Sequence, residues 1–450
     1  MNIKEYVDLH KDEYVKELCE FVSIPSVSST GQCLKESADY LQAMMERAGI
    51  KTQILPTSTY PVVYGEARCG DDDKPTVLVY GHYDVQPPEP LELWNTPPFE
   101  PTIIDGVLYG RGSTDNKGYN IAYIKAVEAL KAVDGKLPCN IKFVFEGNEE
   151  NGSVGLSEFF AEYKDFLSAE YTIMTDGPRH DTGRPWITLG CKGLLYLEFT
   201  LRTLDRDIHS ANAPALPSAA WELVHLLSKI QDENGKILVP GFFDDALEMN
   251  EQEKQIMAAV PPTEESSRNM YHPVKTVKRR DDYSFEETMI FSPTFNISGI
   301  WSGYTGNGSK TVLTSEAKAK FDLRLVPFQD GMKILENLKK YIKDDLGYDN
   351  VDIKVLSYVK PAKTPVDVRA AKIVTEACNK VFGVDPVFTP IVNGTGPFYL
   401  FTDVLGQPMV FFRYSDEDCN NHAPNEKMTL DLLYKGIEAM AEIYRLTGDK

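Results

Sequence analysis

Apolar residues along this chain recur at two different spacings. Val7, Tyr14, Leu18, Phe21 and Val22 fall near helical spacing and stop before Pro25, which predicts an amphipathic helix at the start. From there to about residue 190, β-rich runs alternate with helix-like stretches: TVLVY at 76–80, a helix near 119–132, IKFVF at 141–145, a helix near 153–167 and YTIMT at 171–175. That alternation predicts an α/β fold, a mixed, largely parallel sheet with flanking helices.

The middle of the chain reads differently. A strand at 194–203 and a helix at 217–230 are followed by a polar, loop-rich stretch to about 290, then a strand at 317–326, a helix at 331–342 and a strand at 351–359. This is the pattern of a compact α+β unit. After Pro361 to Pro365, a helix at 367–382, the run PMVFFR at 408–413 and a helix at 429–446 resume the first pattern. The expectation is a discontinuous domain of residues 1–190 and 367–450, interrupted by an inserted domain at 191–366.

Composition narrows the function classes. The chain has 450 residues and is 42% hydrophobic, enough for a sizeable core, while 47 Lys+Arg against 67 Asp+Glu give a formal charge of −20. Such a surface repels phosphate backbones and anionic membranes, so nucleic acid and membrane are poor partners. Seven scattered cysteines with no C-x-x-C pair signal neither a disulfide framework nor a thiolate metal site. With a charged N-terminus and no run of 18 apolar residues, the expectation is a soluble, cytoplasmic protein. The excess Asp and Glu also matter chemically, because carboxylates are the hard oxygen donors that divalent cations take.

In open α/β sheets ligands bind beyond the carboxyl ends of the strands. The residues that follow the apolar runs are His82 and Asp84; Glu149 and Glu150; Asp176; and, after PMVFFR, His422, with Asp115 following the DGVLYGRG segment. Taken singly, each has an ordinary reading as a turn residue or a solvated charge. Gathered at one sheet edge, histidines with several carboxylates and no cysteine suit zinc, manganese or cobalt, and so many carboxylates suggest two ions sharing a bridging ligand. His82 and Asp84, two apart at a strand end, can point the same way, so that Asp84 accepts the second imidazole N–H. Adjacent Glu149 and Glu150 point in different directions, which lets one bind a cation while the other serves as general base.

The ordered motifs GHYDVQP, GRGSTDNKG, EGNEENGS, Asp176, DIHS and NHAPNEK resemble the M20 family of metallopeptidases, in particular its carnosine dipeptidase-like branch, and the likeness runs from FVSIPSVS to the last helix. The resemblance implies a zinc-peptidase-like catalytic domain and an inserted lid that mediates homodimerisation. It implies two divalent cations per chain, zinc foremost, one held by His82, Asp115 and Asp176 and the other by Asp115, Glu150 and His422. Glu149 would be the base and Asp84 the orienting carboxylate. His209 would polarise the scissile carbonyl from the opposite subunit. Arg324, with Gly394 and Thr395, would hold the substrate carboxylate. A cis peptide is expected after Asp115.

The implied activity is hydrolysis of dipeptides or short peptides next to a free C-terminal carboxylate. An N-acyl amino-acid deacylase would share every metal residue, and a catalytically silent metal-binding scaffold is the alternative outside enzymes. One departure stands out: the family often continues its lid histidine as H-S-G, whereas this chain reads His209-Ser210-Ala211-Asn212. No G-x-S-x-G elbow or H-E-x-x-H helix occurs, and the glycine-rich run Gly303–Thr311 departs from a P-loop by an extra Ser before its Lys.

Overall fold

The structure, a computed structural model, describes residues 1–274, 280 and 282–449. Its helices are α1 (Ile3–Val22), α2 (Leu34–Arg47), α3 (Lys117–Asp134), α4 (Leu156–Glu162), α5 (Ala219–Ile230), α6 (Glu251–Ala258), α7 (Glu264–Tyr271), α8 (Phe285–Phe291), α9 (Gly331–Lys340), α10 (Arg369–Phe382) and α11 (Leu430–Gly448). The strands of the two main sheets, numbered in chain order, are β1 (Lys51–Leu55), β2 (Val62–Ala67), β3 (Thr76–His82), β4 (Asn140–Glu146), β5 (Tyr171–Met174), β6 (Trp186–Thr188), β7 (Gly193–Arg202), β8 (Asn296–Ser302), β9 (Glu316–Leu325), β10 (Val351–Val359), β11 (Val387–Thr389) and β12 (Met409–Arg413).

The larger sheet has the order β1-β2-β4-β3-β5-β12-β6-β11. Its centre, β4-β3-β5-β12, is parallel, with antiparallel β1 and β2 at one edge and an antiparallel β12-β6 step toward the other. A sheet covered on both faces needs strands that are apolar throughout, which is why TVLVY shows no alternation. Val77 and Val79 join the cluster formed with α1, α3, α10 and α11, while Leu78 and Tyr80 join Phe159, Phe160 and Phe401 on the opposite face. Helix α1 starts where the Asn2 side chain accepts from Glu5 N and the Glu5 carboxylate from Asn2 N, and buries Val7, Tyr14, Leu18 and Phe21. Each large apolar side chain buried this way is worth about 1.5–3 kcal/mol.

The smaller sheet, β8-β9-β7-β10, is antiparallel throughout. Strand β9 alternates strictly: Ala317, Ala319, Phe321, Leu323 and Leu325 are buried against α5 and α9, and the residues between them, Arg324 included, face away. β8 is an edge strand that leaves Ile297, Ile300 and Trp301 41–52% exposed. The two sheets are joined by a short antiparallel ribbon pairing Gly190 with Lys363 and Cys191 with Ala362. A side chain at Gly190 would meet the Ala362 carbonyl at 2.3 Å, so only glycine allows this approach.

Two expectations about elements change. The helix near 153–167 shortens to Leu156–Glu162: Gly155, with φ of +88°, a left-handed conformation outside a helix, sets its start, and residues 163–167 form turns. The polar stretch before residue 290 contains α6, α7 and α8 among its described residues; α6 and α8 carry capping boxes, Asn250 with Glu253 and Ser284 with Glu287. The seven cysteines are unpaired, and among the described residues no helix is long and apolar enough to cross a membrane.

Candidate metal centre

The parallel strands deliver their following residues to one edge. β3 ends on His82 and β4 on Glu146, with Glu149 and Glu150 in the turn after it; Asp176 lies two residues beyond β5, and the loop after β12 carries His422. Asp115 comes from the turn before α3, where the Asp115–Asn116 peptide is cis. That turn is tied to the strand ends: Asn116 Nδ2 donates to the Thr175 carbonyl at 2.9 Å and Asn120 Nδ2 to the His82 carbonyl at 2.7 Å.

Two groups of potential ligands result, and they share Asp115. His82, Asp115 and Asp176 form one, and Asp115, Glu150 and His422 the other, each with its ligand atoms within 4.8 Å of one another. The two oxygens of Asp115 are divided between them, Oδ1 lying 3.1 Å from His82 Nε2 and Oδ2 3.0 Å from His422 Nε2. His82 Nε2 also lies 3.6 Å from Asp176 Oδ2, and His422 Nε2 3.1 Å from Glu150 Oε2.

The Asp84 carboxylate also serves a group that its spacing does not suggest. It accepts from Glu149 N at 3.2 Å and Glu150 N at 3.1 Å, so it shapes the turn that presents both glutamates. The imidazole of His82 turns Nδ1 toward Asp84, with the backbone carbonyl at 3.1 Å and the carboxylate at 3.4 Å. Strand alternation stops at His82, so two-residue spacing no longer decides which way Asp84 points. Gln86, which sequence reasoning passed over, donates from Nε2 to Glu150 Oε2 at 2.8 Å. Behind the turn, Tyr80 and Ser153 hydroxyls donate to Glu146, whose burial pushes its carboxyl up to about 7.

The electrostatics are those of acids crowded together out of water. Burial raises the pKa of Glu149 well above the carboxylate range, with Glu150, Asp176 and Asp115 adding to it; burial and Asp115 raise Glu150 to about 7 and also lift Asp176. Burial opposes charging His82, but Asp115, Asp176 and Asp84 overcome it and raise its pKa well above the usual imidazole value. Hydrogen bonding to Asp115 and Glu150 lifts His422 to about 11. His82 Nε2 is buried and, despite its short distances to two carboxylates, aligned for a hydrogen bond with neither. Ligand atoms drawn side by side at this spacing, with an orphaned imidazole nitrogen among them, fit divalent cations.

Beside the cluster opens a cavity of about 400 Å³ lined by Glu149, Glu150, His422, Arg324, Thr395, Tyr358 and Tyr399. Arg324 Nη1 donates to Thr395 Oγ1 at 2.6 Å, which places a cation and a hydroxyl in the same cavity as the carboxylates. Gly394 does not line it; its carbonyl accepts from Lys192 N at 2.9 Å. His209 is not brought to the cavity either. It is exposed on a two-stranded ribbon opposite Val312, and its Nδ1 accepts from Ala211 N at 3.0 Å. A larger cleft of about 820 Å³ lies around Gln231, Phe243 and Phe295, away from both ligand groups.

The family model described as Peptidase family M20/M25/M40 matches residues 78–445, most of the chain and every residue of both ligand groups. The chain belongs to this peptidase family. It is an M20-type metallopeptidase, and hence a hydrolase. The peptidase is 30% identical to the Beta-Ala-His dipeptidase of Homo sapiens over 98% of its own length and 91% of that protein. It is likewise 30% identical to the Cys-Gly metallodipeptidase dug1 of Schizosaccharomyces pombe, covering 96% of this chain and 95% of that one. Among solved structures, an M20 family metallo-carboxypeptidase from Sulfolobus solfataricus superposes with a TM-score of 0.89 at 36% identity, over 97% of this chain and 99% of its own.

Proposed function

We propose that this M20 peptidase is a two-cation dipeptidase that cleaves the amide next to a free C-terminal carboxylate. The observation that carries the reading is Asp115, whose two oxygens are divided between two histidine-containing ligand groups. His82, Asp115 and Asp176 would hold one dication and Asp115, Glu150 and His422 the other; the His and carboxylate donors suit zinc first, with manganese and cobalt also accommodated. Bound there, the cations would supply Lewis acidity and make water a nucleophile at neutral pH.

The protein's own groups do the rest. Glu149 faces the same cavity without belonging to either ligand group, so its carboxylate is free to take the proton of the attacking water and return it to the leaving amine. Arg324 and Thr395 hold the substrate carboxylate, which sets the scissile amide beside Glu149. His209, remote from the cavity of its own chain, would donate to the developing oxyanion in a homodimer. The segment 191–366 would form the lid and dimer contact, a reading supported by the exposed edge of β8. The unpaired cysteines suit a reducing, cytoplasmic setting.

Relatives named for β-Ala-His and Cys-Gly dipeptides support a free-amine substrate over an N-acyl one. Metal-loaded protein is expected to hydrolyse free-amine dipeptides with kcat/KM at least about tenfold above the matching N-acetyl amino acids, a difference of about 1.4 kcal/mol. Comparing the two panels by amine release tests this, and faster cleavage of the N-acetyl amino acids would make the peptidase a deacylase.

A further inference from the structure

Glu426 lies four residues after His422, is fully buried and does not line the cavity. Its Oε2 accepts from Arg111 Nη1 at 2.8 Å and Gly112 N at 2.9 Å, and its Oε1 from Thr114 N at 3.0 Å and Asp115 N at 2.9 Å. Four donors of one turn thus converge on one carboxylate, and one of them is the amide of Asp115. The backbone adds to this joint: Gly110 N donates to the Glu426 carbonyl at 3.0 Å, the Thr114 hydroxyl donates to the Lys427 carbonyl, and residues 427–429 pair with 107–109.

The loop that Glu426 closes needs such an anchor. Asn420, His422 and Asn425 have φ of 58°, 60° and 64°, a left-handed conformation that is uncommon for residues with a Cβ even though Asn and His adopt it more readily than others. The His422 side chain is 57% exposed, so packing does little to fix the imidazole.

The geometry points to Glu426 as a positioning residue for the second cation. By fastening the end of the His422 loop to the turn of Asp115, it keeps His422 Nε2 and Asp115 Oδ2 within reach of one ion. This inference rests on the two-cation reading. A glutamine at 426 keeps the shape but turns an amide N–H₂ toward groups that are themselves donors, so either the Arg111 guanidinium or a backbone amide of the turn loses its acceptor.

The test uses metal-free Glu426→Gln and wild-type protein, titrated calorimetrically with zinc and melted with and without it. The second zinc is expected to bind about 10- to 100-fold more weakly in the variant, and zinc to raise its Tm less. A Tm lowered from wild type by the same amount with and without zinc, with both affinities as in wild type, would mean Glu426 only supports the fold and would overturn the inference. Should Glu426→Gln not fold without metal, Glu426→Asp, which keeps the charge but is one methylene shorter, is read by the same criteria. Wild-type protein that takes up fewer than two zinc ions overturns the two-cation reading and this inference together. Two ions in wild type and unchanged affinities in the variant overturn the inference alone.

Discussion

Replacing Glu149 with alanine is expected to lower kcat toward a dipeptide by about 100- to 10,000-fold, the range a general base contributes, while two dications stay bound. The separation follows from geometry. Glu149 belongs to neither ligand group, and its tie to the neighbouring Asp84 is made through its backbone amide, which alanine keeps. The substitution also removes one carboxyl from a buried cluster of like charges, which favours the retained ligands staying in place. Steady-state kinetics alongside metal content per chain check this. Undiminished turnover with both dications bound would remove Glu149 from the mechanism.

The second large effect concerns His209. Given the proposed role of His209 as oxyanion donor, His209→Ala is expected to cost about 100- to 1,000-fold in kcat and, since His209 belongs to neither ligand group and does not line the cavity of its own chain, to do so without loss of metal. The proposed action of the histidine across a homodimer carries a further signature. Mixing His209→Ala with Glu149→Ala protein under subunit exchange creates mixed dimers in which one of two sites is complete, and random exchange of equal amounts restores about a quarter of wild-type activity in a twofold-symmetric dimer. No recovery after exchange has been verified by mass would place the action of His209 within its own chain.

The elements that could be read from the sequence are those whose burial imposes a pattern. TVLVY, IKFVF and YTIMT are largely apolar, without alternation, because both faces of the sheet are covered, and β9 alternates because only one of its faces is covered. β6 and β11, three residues each, are too short to show any period, and β8 exposes Ile297, Ile300 and Trp301 at an edge where nothing in the chain selects for alternation. Helices α6 and α8 do have a legible signal in Asn250-x-x-Glu253 and Ser284-x-x-Glu287, which the surrounding polarity obscures.

The site divides along similar lines. His82, Glu149, Glu150 and Asp176 are found by looking beyond strand ends, because a parallel sheet sends those ends to one edge. The contacts that orient them are set by turns. Asp84 lies two residues beyond the end of β3, and its carboxylate accepts from the amides of Glu149 and Glu150. Gln86 reaches Glu150 and Glu426 reaches Asp115 across 64 and 311 residues of sequence, separations at which no local pattern registers.

The two-cation mechanism is tested most directly by one titration, in which zinc is added to metal-free protein while hydrolysis of a free-amine dipeptide is followed. Turnover should be absent without metal and level off at two zinc ions per chain. Full turnover by the metal-free protein, or two bound zinc ions with no turnover of any dipeptide in the panel, would contradict it.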